Sequence, residues 1–100
     1  MRDKQFVINS IKMDLHRVVT ASGDMSKELP QQSVIEFMEH ADKDFGKTDL
    51  TQKEQSLRLQ LQNLLKDLPN IKDPLSRLRW TEDVMTIRCR LSSSLQTALL

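Results

Sequence analysis

The sequence is short of the residues that specify cross-links and chemistry. A single cysteine, Cys89, excludes an intramolecular disulfide and any cysteine-rich zinc site, so nothing ties the chain to an oxidising compartment. Glycine occurs twice and proline three times, too few for the turns of a many-stranded β fold. Tyrosine is absent, and neither a glycine-rich phosphate loop nor a GxSxG motif is present, which argues against an enzyme. No long apolar run occurs near the amino terminus, where Arg2, Asp3, Lys4, Lys12 and Asp14 interrupt it, so neither a signal peptide nor a membrane span is expected. A soluble cytoplasmic protein is the expectation, and the opening Met1 suggests a free-standing gene product. A surplus of one charge sign is also missing. The formal net charge is +1, which removes any global electrostatic case for nucleic acid or acidic membranes.

What is present suits one all-α domain covering residues 1–100. Apolar residues make up 38% of the chain and charged residues 29%, a balance that favours a compact helical protein over disorder. Val7, Ile8, Ile11, Leu15, Val18 and Val19 recur at helical spacing, and Gly23, followed by Asp24, is expected to end that helix by supplying a position that tolerates positive φ. Pro30 in a first turn, or Ser33 as a cap, opens a second stripe through Val34, Phe37, Met38, Ala41 and Phe45, which stops at Gly46. Thr51 and Glu54 stand three apart as a capping box for a third helix. Asp73 and Pro74 read as the cap and first residue of a fourth, whose stripe is Trp80, Val84, Ile87, Leu91, Leu95 and Ala98.

The stretch SLRLQLQNLLKDLPNIKDP, residues 56–74, begins with the alternation of a strand. That pattern breaks at Asn63, whereas Leu50, Leu57, Leu61, Leu64 and Leu68 follow steps of three and four with Glu54 in the one gap. A helix is therefore expected up to Pro69. Helices near 4–22, 30–45, 51–68 and 74–98 define an antiparallel four-helix bundle with a long last helix. Its core should hold Ile8, Ile11, Leu15, Val18, Val34, Met38, Ala41, Leu57, Leu61, Leu64, Leu68, Trp80, Val84, Ile87 and Leu91.

Some apolar residues lie off these stripes. Leu59 sits about 160° from the stripe of its helix when positions advance by ~100° each, and Phe6 and Met13 are similarly placed on the first helix. The last helix carries a second line through Leu78, Met85, Cys89 and Leu99. Leu59, Leu78, Met85 and Cys89 are the expected interface to a second copy of the chain or to another helical protein.

Charged and chemically active residues offer weaker signals. Residues 23–50 hold seven acids against three lysines and residues 71–100 five bases against three acids, so the second and fourth helices should face solvent or each other. Arg77, Arg79, Arg88 and Arg90 form two rows on the last helix. They are the alternative, a nucleic-acid surface, although Asp83 is spaced to pair with Arg79 and Arg90 and no helix-turn-helix spacing is present. His16 and His40 lack a second histidine at ligand spacing, Cys89 fits packing better than nucleophilic catalysis, and Glu36 with Glu39 suits a solvated face.

The segment DKDFGKTDLTQKE, residues 42–54, resembles the calcium loop of EF-hand proteins over thirteen residues. The resemblance implies oxygen ligands at Asp42, Asp44 and Glu54. The fifth place, however, is Gly46, the sixth Lys47 and the twelfth Lys53, and a helix stop followed by a cap accounts for the same residues. No metal, cofactor, small-molecule substrate or membrane is expected. The reading is of a small non-enzymatic interaction or regulatory protein acting as a homodimer through helix surfaces.

Overall fold

The computed structural model describes the backbone of residues 3–99 and the side chains of residues 3–92. The chain forms α1 (Lys4–Gly23), α2 (Gln31–Phe45), α3 (Gln52–Asp67) and α4 (Pro74–Leu99), with a 3-10 turn at Leu68–Asn70. No strand occurs among the described residues. The stripe positions Leu95 and Ala98, and the off-stripe Leu99, lie outside the described side chains.

Local chemistry explains most helix starts. The Asp3 carboxylate accepts the Phe6 amide at 2.8 Å and opens α1. At α3 both halves of the capping box are present: the Glu54 amide donates to the Thr51 hydroxyl at 3.2 Å, and the Thr51 amide donates to the Glu54 carboxylate at 2.9 Å. Asp73 takes the Ser76 amide at 3.0 Å ahead of α4. The expectation for α2 needs correction, because Pro30 precedes the helix, Ser33 caps nothing, and no side chain bonds the first turn. Pro30 contributes its carbonyl instead, which accepts the Val34 amide at 3.0 Å.

α1 stops at Gly23 as expected, but neither glycine has positive φ, so the conformational freedom of Gly23 is not what ends the helix. Gly23 is the last residue of α1, and the chain leaves the helix at Asp24 with φ −80° and ψ 88°. A side chain from α4, described below, takes the carbonyl of Ser22 in the last turn of α1. The second stop, Gly46, has φ −74° and ψ −6°; a Cβ there would lie 3.4 Å from an Arg58 guanidinium nitrogen. Room for Arg58, not backbone freedom, is what this glycine provides.

The four stripes meet in one core. α1 packs against α2 and α4, and α3 packs against both as well, contacts consistent with a bundle. Every expected core residue is buried except Leu64, and Val7 and Phe45 join them. Each large apolar side chain buried in this way contributes about 1.5 to 3 kcal/mol relative to exposure. Leu64 is half-buried at the rim between α3 and α4, where its carbonyl accepts the Trp80 indole N–H at 2.8 Å. That bond lets the indole enter the core with its one polar atom satisfied.

Candidate functional site

Three features stand out once the core is accounted for: a polar node between α1 and α2, the arginines of α4, and apolar side chains on the outer helix faces.

The node is built on Asp14 and Asp44, carboxylates only 4% and 3% exposed. Burial of two like charges requires partners. The His40 Nδ1–H donates to Asp14 Oδ2 at 2.5 Å, and the same nitrogen lies 3.6 Å from Asp44 Oδ2. The Ser10 hydroxyl donates to Asp44 at 2.8 Å, Lys47 Nζ lies 2.9 Å from its other oxygen, and Arg17 reaches Asp14 at 3.3 Å. The Arg17 guanidinium also sits 5.7 Å from the Phe37 ring centroid. Burial pushes the Asp44 carboxyl up, but hydrogen bonds from Lys47 and Ser10, with the His40 imidazole alongside, outweigh it and hold the group below the usual carboxylate value.

Asp14, His40 and Asp44 bring ligand atoms within 4.8 Å of one another and are the residues best placed to hold a metal ion. Their oxygens already receive Ser10, Arg17 and Lys47, so the charge of both acids is balanced without one. Serine, histidine and aspartate also come together here. The Ser10 hydroxyl, however, donates to a carboxylate and not to the imidazole, which wires the group as an ion-pair network without the bond from nucleophile to base. This node was not foreseen from the sequence. Two signals for it existed: His40 and Asp44 stand four apart, and Asp14 lies three residues after the buried Ile11 on the edge of the apolar stripe.

The residues of the EF-hand-like segment diverge. Asp42 accepts Arg58 Nε at 2.9 Å and the Gln62 amide at 3.0 Å on α3, whereas Asp44 turns to α1. Glu54 is buried in its capping box and paired with Lys4 at 2.6 Å. Burial raises its carboxyl, but bonds from Lys4 and the Thr51 amide more than offset this and leave it below the ordinary value. The segment therefore forms no shared cradle of oxygens.

The four arginines separate into different surroundings. Arg77 donates through Nε to Ser22 O at 2.8 Å, through Nη1 to Lys27 O at 2.7 Å and through Nη2 to Asp24 O at 2.8 Å. It is thereby committed to closing the end of α1. Arg88 lines a groove against α1, while Arg79 and Arg90 line grooves on the α3 side. Asp83 borders both α3-side grooves yet forms no ion pair with either arginine. The engaged acids of α2 point to α1 and α3, so the expected pairing of α2 with α4 is not what neutralises them.

Of the expected interface residues, Leu59, Leu78 and Met85 are exposed by 58%, 44% and 44%, and Cys89 is exposed as well. Leu78, Met85 and Cys89 share the outer side of α4, to which the exposed Leu75 is added. Leu59 lies apart, on a shallow groove where α3 meets the segment after α2. Phe6 and Met13 are exposed on α1. No helix among the described residues is long and apolar enough to cross a membrane. Comparison with family models, curated proteins and solved structures finds no match for this chain.

Proposed function

We propose that the protein is a non-enzymatic helical interaction module, an antiparallel four-helix bundle that self-associates through the outer face of α4. The antiparallel arrangement is supported by the cross-helix pairs. Ser10 with Asp44 and Asp14 with His40 have residue numbers that add to the same value, as in helices running in opposite directions, and Arg77 near the start of α4 meets the end of α1.

The observation that carries the functional reading is the exposure of Leu75, Leu78 and Met85 on a helix whose opposite stripe already fills the core. The bundle gains nothing from these side chains when alone. A second copy of the chain is the occupant proposed for this face, which a two-fold interface would bury from both partners at once. A regulatory role in the cytoplasm is in keeping with such a module. The nucleic-acid alternative would rest on Arg79 and Arg90, since Arg77 is committed to backbone carbonyls and Arg88 faces α1.

Sedimentation equilibrium at ~150 mM and then ~1 M salt tests the proposal, because surface charge contacts are strongly screened over that range. A dimer that persists in high salt supports an apolar self-interface. A monomer in both conditions overturns it.

A further inference from the structure

We infer that the groove between α1 and α4 is a binding site for a small organic phosphate, a phosphate group carried on an apolar or aromatic body. The groove encloses about 500 Å³ and is lined by Asn9, Lys12, Met13, His16, Arg17 and Arg88. Three cations and a histidine stand on its wall and no carboxylate does. The one acid bonded to a wall residue is Asp14, which takes Arg17 from the α2 side and leaves Lys12, His16 and Arg88 without an acidic partner among the described residues. Such a wall selects an anion, and a phosphate monoester carries about −1.5 to −2 charge at neutral pH, enough to match the uncommitted cations.

A second observation, independent of charge, is that the Arg88 Nε–H is buried with no acceptor among the described residues. An unsatisfied buried donor of this kind destabilises the free protein, and because the atom is closed to a water-sized oxygen an acceptor in the groove reaches it only when the Arg88 side chain turns towards the ligand. The apolar half of the ligand follows from Met13, a large thioether 57% exposed at the same wall, together with the aliphatic stems of Lys12, Arg17 and Arg88. Recognition thus divides between an anionic head at Arg88 and Lys12 and an apolar body against Met13. The inference goes beyond self-association, since the groove opens beside the outer line of α4 and needs no second copy.

The test is a titration of the full chain, labelled at its methionine methyls, with phenyl phosphate, inorganic phosphate and phenol at ~150 mM salt, where exposed charges are partly screened. Phenyl phosphate is expected to saturate a shift at the Met13 methyl and to bind more tightly than either fragment. Arg88→Gln should weaken binding at least ~10-fold, the size of one lost charged hydrogen bond, while Arg90→Gln on the α3 side leaves it unchanged. Lys12→Gln, at a partly exposed position, should weaken binding several-fold and decides the matter if the Arg88 variant fails to fold. The inference is overturned by the absence of saturation, by equal binding of phenol and phenyl phosphate, or by wild-type affinity in both groove variants. Because the readout is the Met13 methyl, it is independent of whether sedimentation finds a monomer or a dimer.

Discussion

Arg77 on α4 donates to the carbonyl of Ser22 on α1 at 2.8 Å, and its remaining nitrogens take the carbonyls of Asp24 and Lys27. One guanidinium thus takes a carbonyl in the last turn of α1, Ser22 O, and ties it to two carbonyls of the cap and the loop that follows. Beneath it Thr81 Oγ1 lies 2.8 Å from Ser22 Oγ, and the Ser22 hydroxyl donates to Val18 O at 2.7 Å, so the junction is polar to its base yet fully bonded.

This arrangement predicts that Arg77→Ala destabilises the protein by about 2 to 3 kcal/mol, less than three independent charged hydrogen bonds because the site is partly exposed. Arg77→Lys should fall between, since an ammonium offers a point charge in place of the planar fork. Urea unfolding monitored by circular dichroism measures both. An unchanged midpoint in Arg77→Ala would show that solvent serves these carbonyls equally well.

The same junction makes Gly23 replaceable. Its φ is not positive, and a Cβ there would meet Thr81 Cγ2 at 3.7 Å, an ordinary contact. Gly23→Ala should therefore stabilise by about 0.5 to 1 kcal/mol, mostly by restricting the unfolded chain. Gly46→Ala should not, because its Cβ would press on Lys43 O at 3.3 Å and on the Arg58 guanidinium that holds Asp42. Thermal unfolding of the two variants side by side distinguishes them. Equal stabilisation would mean that Arg58 moves aside freely.

Acid should weaken the fold through Asp44 and Glu54. Both carboxyls are held below their usual values in the folded chain. A depressed folded-state value stabilises the protein above the unfolded pKa, about 3.9 for Asp and 4.3 for Glu, and that stability is lost as pH falls through the lower folded value. Asp44→Asn and Glu54→Gln should start less stable at neutral pH and lose less on acidification than the parent. Urea midpoints measured from neutral to acidic pH provide the check. An acid limb as steep in both variants as in the parent would assign the loss to other groups.

Periodicity made the stripes legible because each helix presents its apolar positions at steps of three and four; all but one of the expected core residues are buried, while Val19, Phe37 and Leu50 on the same stripes are partly buried against that core. Leu64 is the exception, half-buried where its carbonyl takes the Trp80 indole N–H, a contact across sixteen positions that no local pattern encodes. Glu54 was visible as the gap in the leucine heptad and as half of the capping box, but its ion pair with Lys4 was not. The node of Asp14, His40 and Asp44 was hidden for the same reason: its bonds join α1 to α2 across 26 and 34 positions. Local rules locate which face of a helix is buried; they do not say which buried polar groups will find each other.

Leu59 and Met85 separate the two ways in which the exposed apolar residues could be used. Met85 shares the outer side of α4 with Leu78 and Cys89, whereas Leu59 borders the groove after α2 with Gly46, Thr48 and Arg58. A two-fold interface centred on α4 buries the same patch from both copies, so one charge placed there is doubled and desolvated. Met85→Glu should therefore shift the dimer to monomer at micromolar concentration, while Leu59→Glu leaves self-association intact and changes stability by less than about 0.5 kcal/mol, as usual for a surface site. Sedimentation equilibrium of both variants reads the difference. If Leu59→Glu alone breaks the dimer, the interface lies on α3; if neither variant alters it, the exposed apolar residues take no part in self-association.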